Sequence, residues 1–201
     1  AAEKFDAVMV LWYPGSQGGK AAAKILFGEN SPSGKLPVTF YESLEELPEF
    51  TDYSMKGRTY RYMEGKAQFP FGYGLTYSNV KVENAEVRQC GRKITVEAEV
   101  YNKGNADTEE VVQVYVKNLD SKNAIPNPAL GGFQRIFIKA GERRKVMVPV
   151  WEKAFTVVDE NGERVEDGRK YEIFAGCSQP DERSIELTGT APVKIIWEKE
   201  D

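Results

Sequence analysis

The feature that most constrains this chain is the rhythm of residues 79 to 197, where short runs alternate apolar with polar residues. The runs are NVKVENAEV, KITVEAEVYN, EVVQVYVKN, GFQRIFIKA, RKVMVPVW, FTVVD, RKYEIFAG, SIELTG and VKIIW. Turn residues such as NKGN, KAGE and ENGE separate them. Side chains of a strand point alternately to opposite faces, so a period of two buries one face and wets the other. Many such strands at regular spacing predict an antiparallel β-sandwich over residues 79–201. Within it Val96, Ala98 and Val100, and likewise Val112, Val114 and Val116, point inward. Trp151, Trp197, Tyr101, Tyr115 and Tyr171 are expected to pack in the core, since each sits among apolar neighbours.

The first 41 residues read differently. DAVMVLWY, residues 6–13, is apolar with little alternation, as suits a strand buried on both faces of a parallel sheet. Residues 18–27 then place Ala21, Ala22, Ile25 and Leu26 at helical spacing, with Gly28 and Pro32 as stop signals. A second short strand is expected over Leu36–Tyr41. One strand, one helix and one strand make a single crossover unit, too little to cover a parallel sheet. Residues 1–41 therefore read as the terminal piece of a larger α/β domain. Residues 42–78 form an extended connector whose aromatics, as in TYRYMEG, suit a strap lying on a neighbouring surface better than a free linker.

Composition narrows the function classes. The net charge is −4 and the sequence pI about 5.2, so no basic face is offered to a nucleic-acid backbone. The longest apolar runs fall far short of the roughly 20 residues that span a bilayer, so no membrane partner is expected. There is no histidine, and Cys90 and Cys177 are far apart with no CxxC, which removes the usual zinc and thiol-redox motifs. No metal or cofactor is expected, the two thiols read as unrelated, and the compartment stays open.

The turn WYPGSQGG, Trp12 to Gly19, joins the first strand to the helix, a common place for a ligand. A phosphate loop would need GxxxxGK followed by Ser or Thr. Here Pro14 stands five residues before Gly19, and Ala21 follows Lys20. A nucleophile elbow would read GxSxG, and Ser16 directly follows Gly15, with no histidine to activate it. DENGE, Asp159 to Glu163, lacks calcium-loop spacing and reads as a hairpin turn. No pair of carboxylates stands out for glycoside hydrolysis, because most alternate with apolar residues or lie in turns.

In order and spacing, WYPGSQGG with AAAKILFG, NSPSGKLPVTF and FPFGYGLTYS resemble the C-terminal part of glycoside hydrolase family 3. VVQVYVKN, ALGGFQRIFIKAGE and VVDENG are similar to strands of the fibronectin type III-like domain in that family. The resemblance covers essentially the whole chain. It implies a mainly β fold: a fibronectin type III-like, immunoglobulin-like sandwich preceded by a partial α/β unit and the connector. DYSMKGRTYRYMEG and AGCSQPDERSIELTG look more like the β-xylosidase branch than the β-glucosidase branch.

The resemblance also implies retaining hydrolysis from the non-reducing end, with an Asp on a barrel domain as nucleophile and a Glu as acid/base. The barrel motif is absent here, and Glu3 stands too close to the first strand to be the acid/base residue. Both catalytic carboxylates are thus expected outside this chain. Trp12, Tyr13, Ser16 and Gln17 are expected to line or brace the sugar pocket. The implied partners are the barrel and α/β domains of a parent enzyme and, through it, a β-linked oligosaccharide. Cys177 replaces a small residue and is expected to affect packing only. The competing function class is a stand-alone sandwich that binds carbohydrate or protein, and self-association through edge strands or the strap is a further possibility.

Overall fold

The computed structural model describes residues 4–199. The protein is mainly β. Seven strands form two antiparallel sheets: β3 (Val80–Cys90), β4 (Lys93–Asn102) and β7 (Arg143–Val150) in the order β3-β4-β7, and β5 (Thr108–Asn118), β6 (Ala129–Ile138), β10 (Lys170–Gly176) and β11 (Val193–Glu198) in the order β11-β10-β5-β6. Alternation dictates their register: Ile94, Val96, Ala98 and Val100 face Val150, Val148, Val146 and Arg144 across the β4/β7 ladder. The inner faces meet in one core containing Val112, Val114, Val116, Ile136, Ile138 and Ile173. Each such fully buried side chain is worth roughly 1.5–3 kcal/mol relative to exposure.

One end of the core is closed by aromatics. Phe155 lies 5.1 Å edge-on from Tyr171 and 5.4 Å from Trp197. The Tyr171 hydroxyl is placed 3.0 Å from the carbonyls of both Phe155 and Gly168, and burial pushes its pKa up to about 12. The short hairpin of β8 (Val157–Val158) and β9 (Arg164–Val165) turns through Asn161 and Gly162, whose φ of 82° suits glycine.

Tyr101 departs from the expected core placement, lying on the outer face of β4 under the Arg143 guanidinium, and so does Trp151. It follows β7, remains exposed, and packs edge-on against Phe133 at 6.1 Å. SIELTG is not a strand either, because it lies in helix α3 (Glu182–Thr188). The Asp181 carboxylate accepts the Ser184 amide as N-cap, and Gly189 ends the helix in the left-handed conformation at φ 65°. Those two caps override a short alternating pattern.

The N-terminal segment realises its helix, α1 (Gly18–Leu26), but not the strands expected on either side. Residues 6–13 form no strand among the described residues, and Val8, Val10, Leu11 and Trp12 are exposed. A strand needs a ladder partner for its amides, and none lies beside this run. The expected strand over 36–41 shrinks to β1 (Phe40–Tyr41), which pairs antiparallel with β2 (Ala67–Phe69) and not in a parallel crossover.

The connector lies partly on the sandwich. Helix α2 (Thr59–Tyr62) buries Tyr60, which stacks on Phe71 at 4.1 Å and meets Tyr115 edge-on at 6.2 Å. Asn127 Nδ2 donates to the carbonyls of Tyr60 and Met63, and the Leu130 amide donates to the Tyr60 hydroxyl.

Candidate functional site

The chain's buried polar chemistry gathers where residues 31–36 and 70–79 meet the sandwich. Lys35 and Glu110 form a buried ion pair at 2.8 Å. Lys35 Nζ also donates to the Gly74 carbonyl at 2.7 Å, and Glu110 Oε1 accepts the Val111 amide at 2.7 Å. Burial pushes the Glu110 pKa up, while Lys35 and the Val111 amide pull it down. Glu110 shares its parity with Val112, Val114 and Val116 on β5, so an acidic residue stands at an inward position of the strand. That was the sequence signal for a buried carboxylate, and the search for a carboxylate pair passed over it.

The pair opens on a cavity of about 240 Å³ lined also by Thr76, Ser78, Cys177, Thr188 and Thr190. Cys177 is free, and burial raises its thiol pKa well above the ordinary value, which keeps it protonated and unreactive at neutral pH. Beside the cavity the two segments exchange backbone hydrogen bonds, Leu36 N to Tyr73 O at 2.9 Å and Gly72 N to Leu36 O at 2.7 Å. Gly72 has φ +76°, and a Cβ there would collide with Gln113 Oε1 and the Tyr115 hydroxyl. Gln113 Nε2 donates to the Gly72 and Cys177 carbonyls, so an amide on the outer face of β5 is satisfied jointly by the connector and the end of β10.

This arrangement holds segments together. Hydrolysis of a glycoside uses two carboxyls flanking one bond, roughly 5 to 10 Å apart. The cavity offers one carboxylate, already paired, and the groove between β6 and β7, lined by residues 134–137 and 144–147, offers none. Among the described residues no group of three or more His, Cys, Asp or Glu is placed to hold a metal ion.

Trp12, Tyr13, Ser16 and Gln17 lie together on the loop before α1, all exposed, and line neither of these spaces. Tyr13 is fully exposed at 101%. Trp12 takes a left-handed φ of 52°, a conformation that costs a non-glycine residue roughly 1 kcal/mol or more. Gln17 occupies the N-cap position of α1 without a side-chain capping bond. Glu3 lies outside the described residues.

Comparison with known proteins accords with this two-part build. Residues 1–77 match the glycosyl hydrolase family 3 C-terminal domain, and residues 110–179 match the fibronectin type III-like domain. A xylan 1,4-beta-xylosidase of Xylanibacter ruminicola is 42% identical over 192 residues, covering 94% of this chain and 22% of that protein. A periplasmic beta-glucosidase of Salmonella typhimurium is 30% identical over 190 residues, covering 87% of this chain and 25% of that protein. The crystal structure of a family 3 beta-glucosidase from Bifidobacterium adolescentis superposes with a TM-score of 0.76 at 28% identity, over 92% of this chain and 29% of that one.

The fold is thus a fibronectin type III-like sandwich preceded by a segment that matches the family 3 C-terminal domain. The chain belongs to glycoside hydrolase family 3 and represents the C-terminal part of such a protein. It spans about a quarter of the length of the curated relatives it matches.

Proposed function

We propose that this chain is the C-terminal scaffold of a retaining, exo-acting β-glycosidase that removes β-linked sugars from non-reducing ends. The observation that carries the reading is the 42% identity to a xylan 1,4-beta-xylosidase along 192 residues, together with a junction built for holding segments. In this reading both catalytic carboxylates lie in barrel and α/β portions outside the chain, and residues 1–41 belong to that α/β portion. Trp12, Tyr13, Ser16 and Gln17 line or brace the sugar pocket once those portions are present. The exposure of all four, with Trp12 held in a strained conformation, supports a surface completed by other parts of the polypeptide.

The glycone assigned is xylose, with glucose as the alternative. Support comes from the DYSMKGRTYRYMEG and AGCSQPDERSIELTG segments and from the higher identity to the xylosidase than to the glucosidase, 42% against 30%. A stand-alone carbohydrate-binding sandwich is disfavoured, since the exposed ring pair Phe133 and Trp151 meets at 87° and offers no flat platform for sugar rings.

Two assays test the reading. The chain alone should leave nitrophenyl β-xyloside and β-glucoside intact, and turnover would place the catalytic pair inside it. The full-length polypeptide should show a higher kcat/KM for the xyloside, and the reverse order would overturn the assigned glycone.

A further inference from the structure

The two outer faces of the sandwich differ in what they leave uncovered. On the four-stranded sheet, the connector covers the middle of the outer face at Gln113 and Tyr115. Beside it, on β6, Phe133 and Phe137 remain 52% and 50% exposed, with Trp151 at 42% against Phe133. The register places Phe133 opposite Gln113 and Arg135 opposite Val111, so these rings continue the face that the connector already occupies. Phe133 with Trp151, and Phe137 on the far side of Arg135, leave large rings exposed on one face, and exposed apolar patches rimmed by polar residues mark interaction sites.

We infer that this β6 face, centred on Phe133 and Phe137, is the docking surface for the preceding portion of the same polypeptide. The inference rests on the reading of the chain as a C-terminal part. Continuity with a formed contact identifies the occupant: Arg135, paired with Glu109, also donates to the Ser33 hydroxyl at 3.0 Å. The Ser31 hydroxyl accepts from the Tyr77 amide at 2.9 Å and bonds the Thr108 hydroxyl at 2.7 Å. The chain therefore runs along the edge of this patch and leads back into α1, held by a bond from the Tyr77 hydroxyl to the Ile25 carbonyl at 2.7 Å. Beyond α1 the same segment presents Val8 to Tyr13 uncovered. Matched relatives carry about three quarters of their length outside the region shared with this chain, enough to cover both surfaces at once.

Hydroxyl-radical footprinting of the full-length polypeptide, native against denatured, tests the assignment. Ile196, on β11 at the opposite edge of the sheet and 54% exposed, is the internal control. Phe133 and Phe137 should be protected several-fold more than Ile196, and the protection should survive dilution to a monomer by light scattering. Equal reactivity of the three residues overturns the inference. Protection that vanishes on dilution also overturns it, because the cover would then be a second copy. The two readings fail separately: a full-length polypeptide that hydrolyses glycosides while Phe133 and Phe137 stay reactive defeats the docking alone. Protected rings in an inactive polypeptide defeat the catalytic reading alone.

Discussion

The two sheets of the sandwich obey one alternation yet treat their outer faces in opposite ways. On the β3-β4-β7 sheet the outward residues form a charge lattice: Glu97 bridges Arg88 and Lys145, and Glu83 bridges Lys81 and Arg143. The Arg143 guanidinium also lies 3.8 Å from the centre of the Tyr101 ring. The hydrogen bond from Lys145 holds the Glu97 carboxyl below its usual pKa. Such pairs keep an exposed face soluble and contribute little to stability, because the Arg88, Arg143 and Lys145 side chains, half or more exposed, can bond water instead. On the β11-β10-β5-β6 sheet the connector is laid over the outer face, and its polar contacts are desolvated. A contact of the same chemical type, lysine to glutamate, matters where it is buried, at the inward-facing Glu110 with Lys35, and hardly at Lys145–Glu97 on the wet face.

The sharpest way to break that contrast is Lys35→Met. It strands the Glu110 carboxylate in a buried site and should cost about 3–5 kcal/mol in denaturant unfolding, with lost exchange protection at the Leu36 and Gly72 amides. The pH dependence follows from the raised Glu110 pKa. A carboxyl that is harder to ionise folded than unfolded opposes folding above its folded pKa, and the penalty fades as pH falls through it toward the unfolded value. The Lys35→Met loss should accordingly be largest at neutral pH and shrink on acidification. A loss that grows on acidification would contradict the desolvated pair.

Next in size, Tyr60→Ala should cost about 3 kcal/mol, because it empties the slot between Phe71 and Tyr115. Tyr60→Phe should cost about 1 kcal/mol, for the acceptor lost by the Leu130 amide. Thermal unfolding of both variants separates packing from the hydrogen bond. Gly72→Ala should cost about 1–3 kcal/mol, since the new methyl meets Gln113 and Tyr115 at a positive φ. The smallest effect belongs to the other face. Glu97→Gln should leave the denaturation midpoint within error at moderate salt, and a large shift there would erase the distinction between the faces.

Much of the sandwich was legible because period two is a local property. Each of β3 to β7, β10 and β11 carries its own inward set, and the turns at Gly91, Gly141 and Gly162 adopt the positive φ that glycine tolerates. The failures share one cause. SIELTG alternates over too few residues to outweigh an Asp181 cap and a Gly189 stop. DAVMVLWY has the composition of a buried strand but no ladder partner among the described residues. Trp151 sits in an apolar run yet lies just past the end of β7, at the margin of the core.

What the sequence determined by itself was the β-sandwich, the α1 helix and, through the parity of Glu110 with Val112, a carboxylate turned inward. Tertiary structure decided the rest: that Lys35, 75 positions before Glu110 in the sequence, is the partner of that carboxylate, and that Tyr115 and Gln113 on an outer face are buried while Phe133 on the same face is not. Periodicity fixes which side of a strand a residue occupies, because that is backbone geometry. Whether that side is wet depends on where a distant segment comes to rest, and no local pattern encodes it.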